Sequence, residues 1–356
     1  MPKSAQTDAV LNGASKPVPT RRLWLLGPAL VAGVAYLDPG NVASNMSAGA
    51  RYGYLLVWVV IAGNVMAWLI QYLSAKLGLV TGRSLPEVLG QRIRNRWARR
   101  AFWLQAELVA MATDIAEVLG GAVALNLLFG IPLIYGGLIT GAVSIVLLAV
   151  HSRRGPRHFE FVIIGLMAVI VIGFVAGLFV APPDPAGVAG GMLPRFTDSG
   201  SVLLAASILG ATIMPHAIYA HSALARDRFP QTSSGTQTGS GAQTGPGAQT
   251  DSRTRPSIST LLTATRWDVT IAMVTLVPAL IILGVGFDPT LALVLSQVVL
   301  SFGIPFALVP LVALTSQRRT LGEHANRRIT TILGVLFAVL LIALNAVLLW
   351  LVLTGA

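Results

Sequence analysis

Two short runs set polar, cation-competent side chains where an apolar helix should continue. In Asp38-Pro39-Gly40-Asn41, a carboxylate and a carboxamide flank a Pro-Gly pair inside the first long hydrophobic stretch. A carboxylate at bilayer depth costs at least about 2.5–3.5 kcal/mol, so its presence there points to function. Pro39 cannot donate an N–H and clashes with the preceding turn, and Gly40 adds backbone freedom, so the helix is predicted to break there. The run Met214-Pro215-His216 predicts a second break at mid-membrane. Taken alone, Pro215 reads as a kink. Two interrupted helices together are the sequence pointer to the binding site in transporters built from inverted repeats.

The side-chain types narrow the ligand to a cation. Asp38, Asn41 and carbonyls freed by the breaks make an oxygen-rich shell suited to Mg²⁺, Ca²⁺ or Na⁺. If the Met214 thioether faces the first break, the mixed oxygen–sulfur shell favours Mn²⁺, Fe²⁺, Co²⁺ or Cd²⁺ instead. A methionine that only fills a core gap leaves the hard-ion reading standing. A third constellation lies between the two runs: Glu107, Asp114 and Glu117 are spaced i, i+7, i+10. At 100° per residue they fall within about 80° of one another on one helix face. Three carboxylates on one side of a membrane helix should line a polar path and can pass protons. His216 and His221 are further titratable candidates. No Lys or Arg is expected deep inside any span to pair with these acids, which favours a relay over a structural network. Asn64, Gln71 and Asn345 read as interhelical hydrogen-bond partners.

The elements that carry these residues follow from hydropathy. With 54% hydrophobic and 11% charged residues, and a mean hydropathy of +0.73, the chain is an all-α polytopic membrane protein. Apolar runs of about 20 residues, each long enough to cross the hydrocarbon core, are placed at Trp24–Ser47, Tyr54–Ser74, Phe102–Phe129, Pro132–Val150, Phe161–Val180, Val202–Leu224, Val269–Phe287, Thr290–Leu314 and Ile329–Leu353. The net charge of +11 invites a nucleic-acid reading, but Lys and Arg fall almost entirely in alternate loops. Only Arg51 and Arg195 lie on the other side. That is the positive-inside pattern, with a cytoplasmic N-terminus, an odd number of spans and no nucleic-acid partner. The first span reads as uncleaved. There are no cysteines, hence neither disulfides nor thiolate metal sites. No paired metal-binding histidines and no nucleophile elbow suggest an enzyme. The organisation expected is a cytoplasmic tail (1–22), spans 1–6 (23–225), a cytoplasmic low-complexity linker (226–266) and spans 7–9 (267–356). Within the linker, Gly-Ala-Gln-Thr-Gly-type units between Gln231 and Thr250 cannot bury a core.

Several runs, in order, resemble the Nramp family of proton-coupled divalent-metal transporters, most of all its bacterial manganese-transporting branch. They are Leu37-Asp-Pro-Gly-Asn41, Ala48-Gly-Ala-Arg-Tyr-Gly-Tyr54, Gln71-Tyr-Leu-Ser-Ala-Lys-Leu-Gly78, Gln105-Ala-Glu107, Asp114-Ile-Ala-Glu117, Gly210-Ala-Thr-Ile-Met-Pro-His216 and Ser296-Gln-Val-Val-Leu300. The resemblance covers most of the chain from Leu23 to Ala225 and from about Pro278 onward. It implies a LeuT-like fold of two inverted five-helix repeats. It implies metal ligands at Asp38, Asn41, Met214 and the Ala211 carbonyl, with Gln297 approaching on occlusion. It also implies proton-pathway roles for Asp38, Asp114, Glu117, His216 and His221, beside the Glu107 of the acidic stripe.

The chain departs from that family in its second repeat, where about nine spans stand in place of eleven. Arg266-Trp-Asp-Val-Thr-Ile-Ala-Met-Val274 resembles the start of the family's seventh helix, and Thr275-Leu-Val-Pro-Ala-Leu280 the interior of its ninth. The eighth helix, counterpart of the acid-bearing span, has no equivalent. Ile271 and Ala272 occupy the stretch where the family carries paired arginines, and Ala217 stands where it usually has Asn. The activity expected is proton-coupled import of Mn²⁺, with Fe²⁺ as a second cargo, across the cell membrane and without a cofactor. The alternative is a degenerate family member that inserts but does not transport. A third reading is a Na⁺-coupled amino-acid transporter of the same broad fold, which would not need Met214.

Overall fold

The computed structural model describes residues 38–154, 156–228 and 276–354, without the side chains of 147–164 and 228. The N-terminal tail, the first half of span 1, the linker beyond residue 228 and the start of span 7, with Ile271 and Ala272, lie outside them. Helices make up the regular structure, and among the described residues there is no strand. In chain order they are α1 (Pro39–Tyr52), α2 (Val57–Thr81), α3 (Leu85–Arg92), α4 (Arg96–Phe129), α5 (Leu133–Arg154), α6 (Pro156–Val180) and α7 (Pro185–Gly190). They continue with α8 (Ser199–Thr212), α9 (Pro215–Arg228), α10 (276–284), α11 (Pro289–Ser316), α12 (Arg318–Leu321) and α13 (Arg328–Thr354).

The helix ends follow local chemistry. Asp38 caps α1 by accepting from the Asn41 N–H, and Pro39 occupies the first helical turn, where its missing donor costs nothing. Asp198 caps α8 through the Ser201 N–H at 2.7 Å and accepts from the Tyr52 hydroxyl at 2.7 Å. Ser84 and Glu87 form a capping box on α3. Gly82 ends α2 with φ +62°, a left-handed C-cap that only glycine takes without strain.

Among the described residues, five stretches are long and apolar enough to cross a membrane: Val57–Thr81, Arg96–Phe129, Ser199–Asp227, Pro289–Ser316 and Arg328–Thr354. Leu133–Val146 and Gly165–Val180 are shorter apolar helices. Helix α11 is central, packing on α1, α2, α4, α8, α9 and α13. The largest core cluster runs through α2, α3, α8, α9, α11 and α13, around Leu73, Leu77, Ile208, Ile304 and Leu311. Helix α8 is buried on nearly every side, which explains why its sequence is uniformly apolar rather than striped. By contrast, every described side chain of α6 from Gly165 onward is exposed except Met167.

Candidate metal centre

Of the two interruptions expected from the sequence, the second lies between two described helices, and the first is described only from Asp38 onward. Helix α1 begins at Pro39, directly after Asp38; α8 ends at Thr212, and α9 starts at Pro215. Pro215 has no N–H to close the helical bond to the Ala211 carbonyl four residues earlier. Ala211 and Met214 are fully buried, and Asp38 is 8% exposed. Met214 packs with Val109 of α4, Ala217 of α9 and Leu300 of α11. Asn41 lies three residues after Asp38, on the first turn of α1, and is half-buried.

Helices α1, α8 and α11 are drawn together by small residues and hydroxyls. Ser44 Oγ lies 2.6 Å from Ser207 Oγ and donates to the Gly40 carbonyl at 2.7 Å. Ser207 Oγ also lies 3.0 Å from the Val294 carbonyl of α11. Each of these residues is about one helical turn from Asn41, Ala211 or Gln297, so the hydroxyls fix the spacing at the centre. At Gly210 a Cβ would overlap the Gln297 main-chain carbonyl, and at Gly40 it would overlap the Gln297 amide. Glycine at these positions lets α11 come close enough for Gln297 to reach Asp38. The Gln297 Nε2 donates to Asp38 Oδ2 at 3.2 Å. The Gln297 Oε1 is buried and has no hydrogen-bond partner among the described residues. A buried carbonyl oxygen left in this way is costly unless a ligand uses it.

Among the described residues, no group of three or more His, Cys, Asp or Glu side chains converges to hold a metal. What meets at Asp38 is one carboxylate, the backbone N–H of Asn41 and the amide of Gln297. The sequence reading missed Asn45. Its Nδ2 donates to Asn41 Oδ1 at 2.7 Å and to the Asn41 carbonyl at 2.9 Å, orienting that amide. The signal was present: Asn45 is four residues on, hence on the same helix face.

The titratable candidates divide into two places. Gly120 of α4 lies against the Pro39 ring, bringing Glu117, one turn earlier, within coulombic range of Asp38 and Asp114. Thr113 Oγ1 lies 3.4 Å from His216 Nδ1, joining that stripe to the start of α9. Glu107 is half-buried and Glu117 is exposed on the surface of the chain. His221 is elsewhere, packed against Gln71 of α2 on the other side of α9. A separation of five positions along the helix turns the two histidines well apart. Of the other polar residues, Asn345 bonds Ser301 of α11, while Asn64 bonds only its own helix, at the Val60 carbonyl.

The Nramp family model (natural resistance-associated macrophage protein-like) matches residues 29–274 and 231–351. The divalent metal cation transporter MntH of Mycobacterium tuberculosis is 48% identical over 416 residues, covering 93% of this chain and 92% of that protein. The MntH of Deinococcus radiodurans is 37% identical over 420 residues, covering 99% and 95%. The fold is similar to that of the Eremococcus coleocola manganese transporter, with a TM-score of 0.65 at 24% identity over 93% of this chain and 88% of that one. The chain therefore belongs to the Nramp family, whose members are multi-pass membrane proteins.

Proposed function

We propose that this protein imports divalent transition-metal ions, chiefly Mn²⁺ and also Fe²⁺, across the plasma membrane in symport with protons. The observation that supports the reading is Gln297 reaching Asp38 at the start of α1, with α11 packed on Gly210 beside the buried Ala211 and Met214, and with a buried Gln297 Oε1 that has no hydrogen-bond partner among the described residues. Asp38, Asn41, the Ala211 carbonyl and Met214 hold the cation, and Gln297 closes on it. Met214 favours a soft or borderline ion over Ca²⁺. Asp114, Glu117 and His216 form the nearer part of the proton path and Glu107 its continuation, with His221 on a separate branch. The scaffold is a LeuT-like pair of inverted repeats with about nine spans, a cytoplasmic N-terminus and a cytoplasmic linker between spans 6 and 7. The relatives' names and the similarity to a manganese transporter support the cargo.

A second reading, an inserted but non-transporting protein, is favoured by one observation. The alignment to the M. tuberculosis relative spans 416 positions against 356 residues here, so at least 60 positions have no counterpart in this chain. This supports the loss of the eighth helix inferred from the sequence. Uptake of ⁵⁴Mn²⁺ into vesicles under an inward proton gradient separates the two readings. Accumulation abolished by Asp38→Ala is the expected result; a folded protein without uptake leaves the non-transporting reading.

A further inference from the structure

Gln297 approaches Asp38 with its NH₂, the end that cannot ligate a cation. The donor end is used at 3.2 Å, while the equally buried Oε1 has no hydrogen-bond partner among the described residues. Turned the other way, Oε1 would meet the carboxylate acceptor to acceptor, so the orientation shown is the one that pairs a charged Asp38. A bound cation dictates the opposite one, because only the amide oxygen has lone pairs to give. The backbone leaves the amide little room to step aside. It lies over Gly40, where any Cβ would collide with it, and Gly210 receives its main-chain carbonyl at a distance no side chain allows. The two orientations differ by a half-turn about the terminal side-chain torsion, which is broad and roughly two-fold.

We propose that Gln297 is an ion mimic. Its amide hydrogens pair Asp38 while the site is empty, and a half-turn of the same amide presents Oε1 when the cation arrives. This rests on the cation-site reading above and extends it to the empty protein. A carrier must return its empty site after each delivery, and an unpaired carboxylate at bilayer depth opposes that return. Gln297 supplies the missing partner for the return step, so one residue serves both halves of the cycle.

Gln297→Glu tests this because it keeps an oxygen of the same reach and removes the donor. Thermal unfolding of the purified full chain is followed with and without saturating MnCl₂. The metal-free variant is expected to unfold about 2–4 °C or more below the metal-free parent. Mn²⁺ should close most of that gap, giving the variant the larger Mn²⁺-induced shift. A shift equal to or smaller than the parent's overturns the inference. Where the glutamate variant does not fold, Gln297→Leu gives the same comparison without metal, and an unchanged or raised midpoint is the refuting result. In proteoliposomes, Gln297→Glu should lower net ⁵⁴Mn²⁺ uptake about tenfold or more beyond any fall in the exchange of external ⁵⁴Mn²⁺ for internal Mn²⁺. Parallel loss of the two in the variant sinks the ion mimic alone. A parent that shows no Mn²⁺-induced shift brings down the cation-site reading itself, and the ion mimic with it.

Discussion

Replacing Met214 separates packing from ligation, the two roles the sequence leaves open for it. The side chain is fully buried and packs with Val109, Ala217 and Leu300. Truncation to alanine therefore removes a core side chain as well as a sulfur, at about 2–5 kcal/mol for the cavity alone. Lost binding in Met214→Ala would not identify its cause. Met214→Leu conserves volume at a cost below about 1.5 kcal/mol and removes only the thioether. If sulfur is a ligand, its loss should act on soft ions and leave hard ones almost untouched. The assay is calorimetric titration of the purified protein with Cd²⁺ and with Ca²⁺, beside a thermal unfolding control. Met214→Leu should reduce the Cd²⁺-over-Ca²⁺ preference by about tenfold or more, equivalent to about 1.4 kcal/mol, with Cd²⁺ weakened and Ca²⁺ unchanged or tighter. A stable Met214→Leu protein with the parental preference would falsify the ligand role and leave Met214 as gap-filling core.

Asn345→Leu should cut the tie between α13 and the helix that carries Gln297. It removes the bonds of Asn345 with the Ser301 hydroxyl and carbonyl, at 2.8 and 2.9 Å. At about 0.6 kcal/mol per membrane hydrogen bond, plus the stranded carbonyl, the expected loss is about 1–2 kcal/mol in denaturant unfolding. An unchanged midpoint would show that the pair contributes no stability. At the basic side, burial raises the Glu87 carboxyl, but hydrogen bonds from Arg226 and the Ser84 N–H outweigh it and hold it below its ordinary value. A depressed carboxylate stabilises the fold above its unfolded value and loses that contribution as pH falls through the folded one. Because Glu87 is half exposed, the effect is discounted to less than about 1 kcal/mol. Glu87→Gln should therefore lower stability slightly near neutrality and flatten its decline in acid, and an equally steep acid decline in the variant would contradict the sign.

The helix start at Pro39 and the break before Pro215 were legible because they rest on covalent facts. Pro39 and Pro215 lack donors wherever the chain folds, and a carboxylate in an apolar run demands a protected place. The burial of Ala211, Met214 and Gln297 follows from that demand. Less legible were residues whose role depends on which neighbour arrives. Ser44 and Ser207 look like ordinary small residues until their hydroxyls come 2.6 Å apart. Asn45 carried its signal in i, i+4 spacing, yet Asn64 shares the same chemistry and faces outward, bonding its own helix. His221 belongs to the same helix as His216, and only the packing of α9 against α2 sends it to Gln71. Periodicity assigns a residue to a face. It does not say what covers that face.

The acidic stripe shows the difference most clearly. Helical spacing puts Glu107, Asp114 and Glu117 together, but Glu117 is exposed on the surface of the chain. Among the described residues the salt bridges join Arg226 to Glu87 and Asp227, and none reaches Glu107 or Glu117. In the proposed inverted-repeat scaffold, an eighth helix would be the counterpart of α4. The metal centre depends on different contacts. Helices α1, α8 and α11 meet one another directly through Ser44, Ser207, Gly40 and Gly210, contacts that these three helices make by themselves. If the proposed function holds and the eighth helix is lost, the loss would act on the proposed proton path before the proposed cation site, so that cation binding is expected to outlast proton coupling in this chain.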